Sequence, residues 1–254
     1  MREWTDFGFI TLWVLSFSVL ALRYSLFAGL AFYIMQVVVI RKMVSKRLRQ
    51  EKIDSKYVFI DIGRSCLSFF IFGAMMAATM IAHQHGYTKL YGRWSDQSYW
   101  YAFGSFLLLL FIHDTYFYWM HRLLHTKLLY RYIHKHHHRP TPPTPFTSFA
   151  FHPLEAIVEF VFIIPAVMIL PLHPIVLFAF ANVMTAMNVW GHLGFELFPK
   201  KYLQGMVGRI MNSTTHHDMH HQYNKCNYGL YFNFWDSIMH TNHKQYRRLQ
   251  KREK

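Results

Sequence analysis

With 254 residues, 53% of them hydrophobic and 19% aromatic, and a formal net charge of +14, the chain has room for one domain of large apolar content. The arrangement excludes a soluble enzyme, because long runs almost free of charge alternate with basic segments, as membrane spans of about 20 residues alternate with cytoplasmic loops. It also speaks against a nucleic-acid reader, whose lysines and arginines would lie on a folded polar surface and not beside apolar spans.

The first apolar run, Phe7 to Ile40, is broken only by Arg23 and a few hydroxyl or amide residues. As a straight helix it would measure about 50 Å against a hydrocarbon core of roughly 30 Å. One tilted or kinked span with Arg23 snorkelling is expected in preference to two short spans, because no Pro, Asn or Gly pair marks a turn near Arg23. Arg2, Glu3 and Asp6 precede a run too long for a signal core, so the first span should be retained.

Arg41, Lys42, Lys46, Arg47, Arg49, Lys52 and Lys56 follow, a basic run that the positive-inside tendency puts on the cytoplasmic side. A second span is expected over Tyr57 to Ala82, with Asp61 and Arg64 paired near its start. The segment from His83 to Ser98 reads as an outer loop, and a third span, Tyr99 to Met120, returns the chain to the cytoplasmic face. Pro140, Pro142, Pro143 and Pro145 end any helix there and impose extended backbone. Ile157 to Leu170 and Ile175 to Val189 then read as a hairpin, spanning or re-entrant, that brings the chain back to the side it left. The tail, with Lys244, Arg247, Arg248, Lys251, Arg252 and Lys254, is again cytoplasmic by charge. Cys66 and Cys226 imply no disulfide framework and are expected to be reduced.

Histidine carries the chemistry. His121 and His125 are spaced i, i+4, which on a helix puts both rings on one face about 5–6 Å apart at Cβ. His134, His137 and His138 give His-x-x-His-His, and His217, His220 and His221 repeat that spacing, each box expected to set its nitrogens on one side of a single turn. A transition metal takes roughly four to six ligands, so eight imidazoles suit two ions that keep open positions. His192, at the end of the last span, offers a ninth. His113 and Asp114 are read as supporting residues, Asp114 by accepting the second N–H of a ligand histidine. His136 and His216 lie off the chelating spacing and are left out. His152, Asn188, Glu196 and Asp218 are further candidates for support. The lone histidines, His83, His85, His173, His240 and His243, read as ordinary polar residues.

The runs HRLLH, HKHHH and HHDMHH, with HDTYFYWMHR before the first box and NYGLYFNFWD after the last, resemble the fatty acid hydroxylase/sterol desaturase superfamily from about Tyr99 to His240. The resemblance implies an all-α, polytopic membrane bundle with a cytoplasmic, histidine-rich di-metal cap. It implies two ferrous ions, O2 as co-substrate, and hydroxylation or desaturation at a C–H bond of a sterol or fatty acyl chain. Imidazole alone would accept iron, zinc or copper. No haem, flavin or iron–sulfur motif is present, so the electrons would come from an external donor such as a ferredoxin, or cytochrome b5 with its reductase.

The expected organisation is residues 1–98 as N-terminal membrane helices, 99–240 as the catalytic domain and 241–254 as a basic tail. The bacterial inner membrane or the endoplasmic reticulum would house it, boxes facing the cytoplasm. A zinc-dependent membrane hydrolase is disfavoured because His-Glu-x-x-His is absent. A metal transporter is disfavoured because the boxes lie at span ends and not within them. A metal-binding membrane scaffold is the remaining alternative.

Overall fold

The computed structural model describes residues 7–35, 44–140 and 142–251. Arg2, Glu3 and Asp6, the first apolar run beyond residue 35, Arg41 and Lys42, and Arg252 and Lys254 lie outside the described residues. Within them the chain is helical, and the only strand-type pairings are two isolated bridges, Arg47 with Phe195 and Met211 with Phe232. In chain order the helices are α1 (Phe9–Tyr33), α2 (Ser55–Gln84), α3 (Tyr99–Leu124), α4 (Lys127–Tyr132), α5 (Pro153–Val161) and α6 (Ile163–Ile169). There follow α7 (Pro174–Gly191), α8 (Lys200–Leu203), α9 (Met206–Ile210), α10 (Thr214–Tyr223), α11 (Phe234–Ile238) and α12 (Lys244–Leu249).

Three of these helices, α1, α2 and α7, are long and apolar enough to cross a membrane. Their outward faces carry unpaired apolar side chains, with Ile10 72% exposed and Phe59 74%, as lipid-facing surfaces require. The first apolar run is one helix as far as it is described, its register eased by a π-helical turn at Ser25–Gly29. The expected third span, α3, is 26 residues long but falls outside the three: its tyrosines, tryptophans, two histidines, Asp114 and Arg122 dilute its apolarity. The expected hairpin has unequal arms, because the first is divided at Phe162 into α5 and α6, of nine and seven residues, while the second is the continuous α7.

Local chemistry fixes where the helices start. Asp54 caps α2 by accepting from the Lys56 N–H at 2.9 Å, and Ser98 caps α3 by accepting from Tyr101 at 3.1 Å. His152 and His173 accept the N–H groups of Leu154 and Ile175, and Pro153 and Pro174 each occupy the first helical position after them. Gly73 lets α1 lie against α2, since a Cβ there would stand 3.1 Å from the Phe17 backbone nitrogen and from the Trp13 ring. The Trp13 indole donates to the Phe70 carbonyl at 2.9 Å across the same contact.

Asp61 and Arg64 do not form the ion pair expected of them. The Asp61 carboxylate accepts from the Thr147 hydroxyl at 2.7 Å, while Arg64 donates to the His136 carbonyl at 3.0 Å. Arg64 reaches the second box itself and Asp61 the loop that follows it, so each finds a tertiary partner in place of a helical neighbour. Arg23, half-buried, borders a cavity of about 90 Å³ lined by seven phenylalanines among other side chains. The segment between α2 and α3 packs on α6 and the turn into α7: the Lys89 N–H donates to the Val167 carbonyl at 2.8 Å, and Trp94 stacks on His173 with centroids 3.9 Å apart.

Candidate metal centre

All nine candidate histidines converge at the C-terminal ends of α3 and α7, where α10 and the turn His134–His138 meet them. They form two groups. His121, His125, His134, His138 and His220 make one, and His137, His192, His217 and His221 the other, with one ring nitrogen per residue lying within 4.8 Å of every other in its group. Eight of the nine are buried, and His125 is half-buried at the edge.

The boxes are shared between the groups, contrary to the expectation that each keeps to one side. In a helical turn the i+4 side chain lies about 40° to one side of residue i and the i+3 side chain about 60° to the other. The i, i+4 pairs stay together: His121 with His125, His134 with His138, His217 with His221. The i+3 members cross over, His137 to the four-histidine group and His220 to the five.

Four rings have their tautomer fixed by what Nδ1 meets. The Nδ1–H of His121 donates to the Tyr228 carbonyl at 2.9 Å, that of His192 to Asn188 at 2.7 Å, and that of His220 to Cys226 at 2.7 Å. His134 Nδ1 lies 2.6 Å from a Glu155 carboxylate oxygen. The three bound by backbone carbonyls therefore turn an Nε2 lone pair inward, and His134 does so where Glu155 is ionised. The Nε2 atoms of His121 and His134 are 3.2 Å apart, those of His134 and His138 3.1 Å, and those of His138 and His220 3.1 Å. His192 Nε2 lies 3.1, 3.2 and 3.4 Å from those of His217, His221 and His137.

Nitrogens gathered this closely can share N–H···N hydrogen bonds or, with their lone pairs turned inward, a cation. Two imidazole nitrogens about 2.1 Å from one ion, at angles between square and tetrahedral, are separated by about 3.0–3.4 Å. The donor set therefore fits a pair of metal ions, one per group. Burial holds the imidazoles neutral, bringing His121 and His192 to about 4 and His125 to about 2, with the other six well below their usual range. Burial likewise pushes the Glu155 carboxyl well above its ordinary range. A cation on His134 Nε2 would favour its ionised form, and with it the Nδ1–H to carboxylate bond that holds the ring.

Several supporting roles differ from expectation. Asp114 accepts from the backbone N–H groups of Tyr231 and Phe232, at 2.7 and 3.3 Å, and not from a histidine. His113 belongs to neither group and pairs through Nδ1 with the Tyr231 hydroxyl at 2.8 Å. Glu196 binds the N-terminal turn of α10 by accepting from the Thr215 N–H and hydroxyl, and His152 caps α5. His216, left out on spacing, faces Asp236 and not the centre. Sequence reasoning missed Glu155, whose signal was one of two carboxylates, with Glu159, in an otherwise apolar helix. It missed Gly191 too: a Cβ there would stand 3.1–3.3 Å from atoms of His217, so glycine makes the room that ring occupies.

The aromatic cavity ends at this centre. Phe117 and Phe151 line it and stand 5.0 Å from the His121 ring and 5.4 Å from that of His137, and Asn188 lies in its wall.

The family described as fatty acid hydroxylase matches residues 106–241. The chain is 35% identical over 158 residues to lathosterol oxidase of Rattus norvegicus, covering 60% of this chain and 50% of that protein. It is 31% identical over 205 residues to the Delta(7)-sterol 5(6)-desaturase ERG3B of Gibberella zeae, covering 77% and 57%. Against the Delta(7)-sterol 5(6)-desaturase of Leptosphaeria maculans it is 30% identical over 253 residues, covering 96% and 65%. The chain thus spans about half to two thirds of the length of these relatives. No solved structure matches it.

Proposed function

Because the chain belongs to the fatty acid hydroxylase/sterol desaturase superfamily, we propose that it is a membrane-bound, O2-dependent lipid hydroxylase or desaturase whose nine histidines hold two iron ions. The observation that carries this reading is the convergence of histidine ring nitrogens in two groups beside an aromatic cavity. Among substrates a sterol is favoured over a fatty acyl chain, because the relatives carry sterol oxidase and desaturase names.

When bound, two ferrous ions supply reductive activation of O2 and removal of hydrogen from an unactivated C–H bond. The chain's own residues set the conditions. Tyr228, Cys226 and Asn188 hold ligand rings through backbone carbonyls, and Glu155 holds His134 through its carboxylate, so the nitrogens are aimed before any ion arrives. Phe117, Phe151, Phe162 and Phe180 line the cavity of about 90 Å³, room for the reacting end of the lipid, and keep water from the reacting carbon.

Electrons come from an external carrier. Lys127, Arg131, Lys135 and Arg139 are exposed beside the first two boxes, a surface that suits an acidic protein such as a ferredoxin or cytochrome b5. The same positive charge supports a cytoplasmic orientation of the boxes, with residues 1–98 as membrane helices, 99–240 as the catalytic domain and 241–254 as a basic tail.

Elemental analysis of detergent-purified protein, followed by incubation with Δ7-sterols, O2 and a reductase-coupled donor, tests the reading. About two irons per chain and an O2-dependent sterol product are expected. Iron-loaded protein that turns over neither sterols nor acyl lipids would leave a scaffold as the better account.

A further inference from the structure

The matched family region begins at residue 106, yet two arginines far upstream grip the histidine boxes. Arg49, between α1 and α2, lies with Nε 2.9 Å from an Asp218 carboxylate oxygen and donates through Nη2 to the Asp218 carbonyl at 2.7 Å. Both side chains are buried, 9% and 8% exposed. Arg64, in α2, donates from Nη1 to the His136 carbonyl at 3.0 Å and from Nη2 to His136 Nδ1 at 3.2 Å.

Asp218 and His136 share a property: each sits inside a box, flanked by ligand candidates, without being one. Asp218 follows His217 and precedes His220 and His221, and His136 lies between His134 and His137. Each arginine makes a two-pronged contact to backbone and side chain of one residue, which fixes the rotation of that turn as well as its position. Rotation decides which group each ligand joins, because i+3 and i+4 nitrogens of one box go to different groups. The Arg49 segment is itself anchored beside His192: Leu48 N–H donates to the Gly194 carbonyl at 3.0 Å, and Glu196 N–H to Lys46 at 2.9 Å.

We propose that Arg49 and Arg64 are positioning residues that divide the histidines of the third and second boxes between two metal ions, so that the N-terminal membrane region completes the metal centre. The proposal rests on the reading of the nine histidines as ligands. It assigns the first two membrane helices a role beyond anchorage.

The test is titration of metal-free, full-length protein in detergent with Co(II), read by its visible absorption, for wild type, Arg49→Ala, Arg64→Ala, Arg49→Lys, Arg64→Lys and Gly73→Ala. Gly73→Ala disturbs the α1–α2 contact without touching a box and serves as the stability control. Wild type should bind two ions, and each arginine-to-alanine variant should bind about 10–100-fold more weakly with an altered spectrum. Lysine, which keeps the charge and loses the fork, should fall between. Gly73→Ala should melt earlier yet bind as wild type does.

Failure of wild type to bind Co(II) would overturn the ligand reading itself. Wild-type affinity and spectrum in both alanine variants would overturn the positioning role alone, as would equal weakening in Gly73→Ala. Should the alanine variants not fold, the lysine variants decide: wild-type binding in both overturns the proposal, and weakened binding with an altered spectrum upholds it.

Discussion

Replacing Gly191 by alanine separates fold from metal site in one methyl group. Gly191 closes α7 one residue before His192, and its backbone needs no glycine, so alanine should gain up to about 1 kcal/mol of helix propensity. The added Cβ, however, would meet the Cδ2, Cγ and Cβ atoms of His217 at 3.1, 3.2 and 3.3 Å. Carbon atoms settle about 3.5–4.0 Å apart, so the ring must retreat by roughly 0.4 Å. Metal sites tolerate ligand displacements of about 0.2 Å. His217 belongs to the four-histidine group, where its Nε2 lies 3.1 Å from that of His192. The expected loss of affinity there is about 10–100-fold, the range for a ligand whose orientation is disturbed, or about 1.4–2.7 kcal/mol. Chelator competition on protein loaded with two ions should show one leaving early and one at its wild-type rate, while the melting temperature of metal-free protein holds or rises. Equal loss from both sites, or from neither, would refute the geometric argument.

Other outcomes follow from the same geometry. His192→Ala removes the nitrogen central to the four-histidine group and should leave about one ion per chain by elemental analysis. His243→Ala should leave metal content unchanged, since that residue stacks on Tyr223 outside both groups. The metal-free protein should lose stability in mild acid. Burial brings His121 and His192 to about 4 in the fold, while in the unfolded chain they return to about 6.5. Stability is then complete above about pH 6.5 and falls toward pH 4 by about 1.4 kcal/mol per unit for each of the two. Equilibrium unfolding in detergent between pH 7 and 4.5 would show it, and a flat profile would contradict the buried, neutral assignment.

Eight of the nine converging histidines were legible from spacing, because chelating intervals are local and a helical turn turns them into shared faces, whereas His192 was offered only by its place at the end of a span. Their division was not. Which of the i+3 and i+4 neighbours stays with residue i depends on what packs against the turn, and that is set by Arg49, 169 residues from Asp218, and Arg64, 72 residues from His136. Asp114 shows the opposite failure: adjacency to the first box suggested support for a ligand, whereas two backbone N–H groups from the 231–232 segment had the stronger claim on its oxygen. The spans were legible by apolar length where the helix is plain, as in α2 and α7. At α3, aromatic and polar residues inside a long helix obscure where lipid ends and the protein interior begins.

The crossing of His137 and His220 between the two groups has a thermodynamic consequence. An ion captured by the five-histidine group fixes the turn His134–His138 and the helix α10, and in doing so orders His137, His217 and His221 for the other. The second ion meets ligands whose conformational entropy has already been spent, so capture in the five-histidine group should raise the affinity of the four-histidine group. Loss works in reverse: under iron limitation the four-histidine group, whose rings depend on the turn and helix that the other ion orders, would empty first.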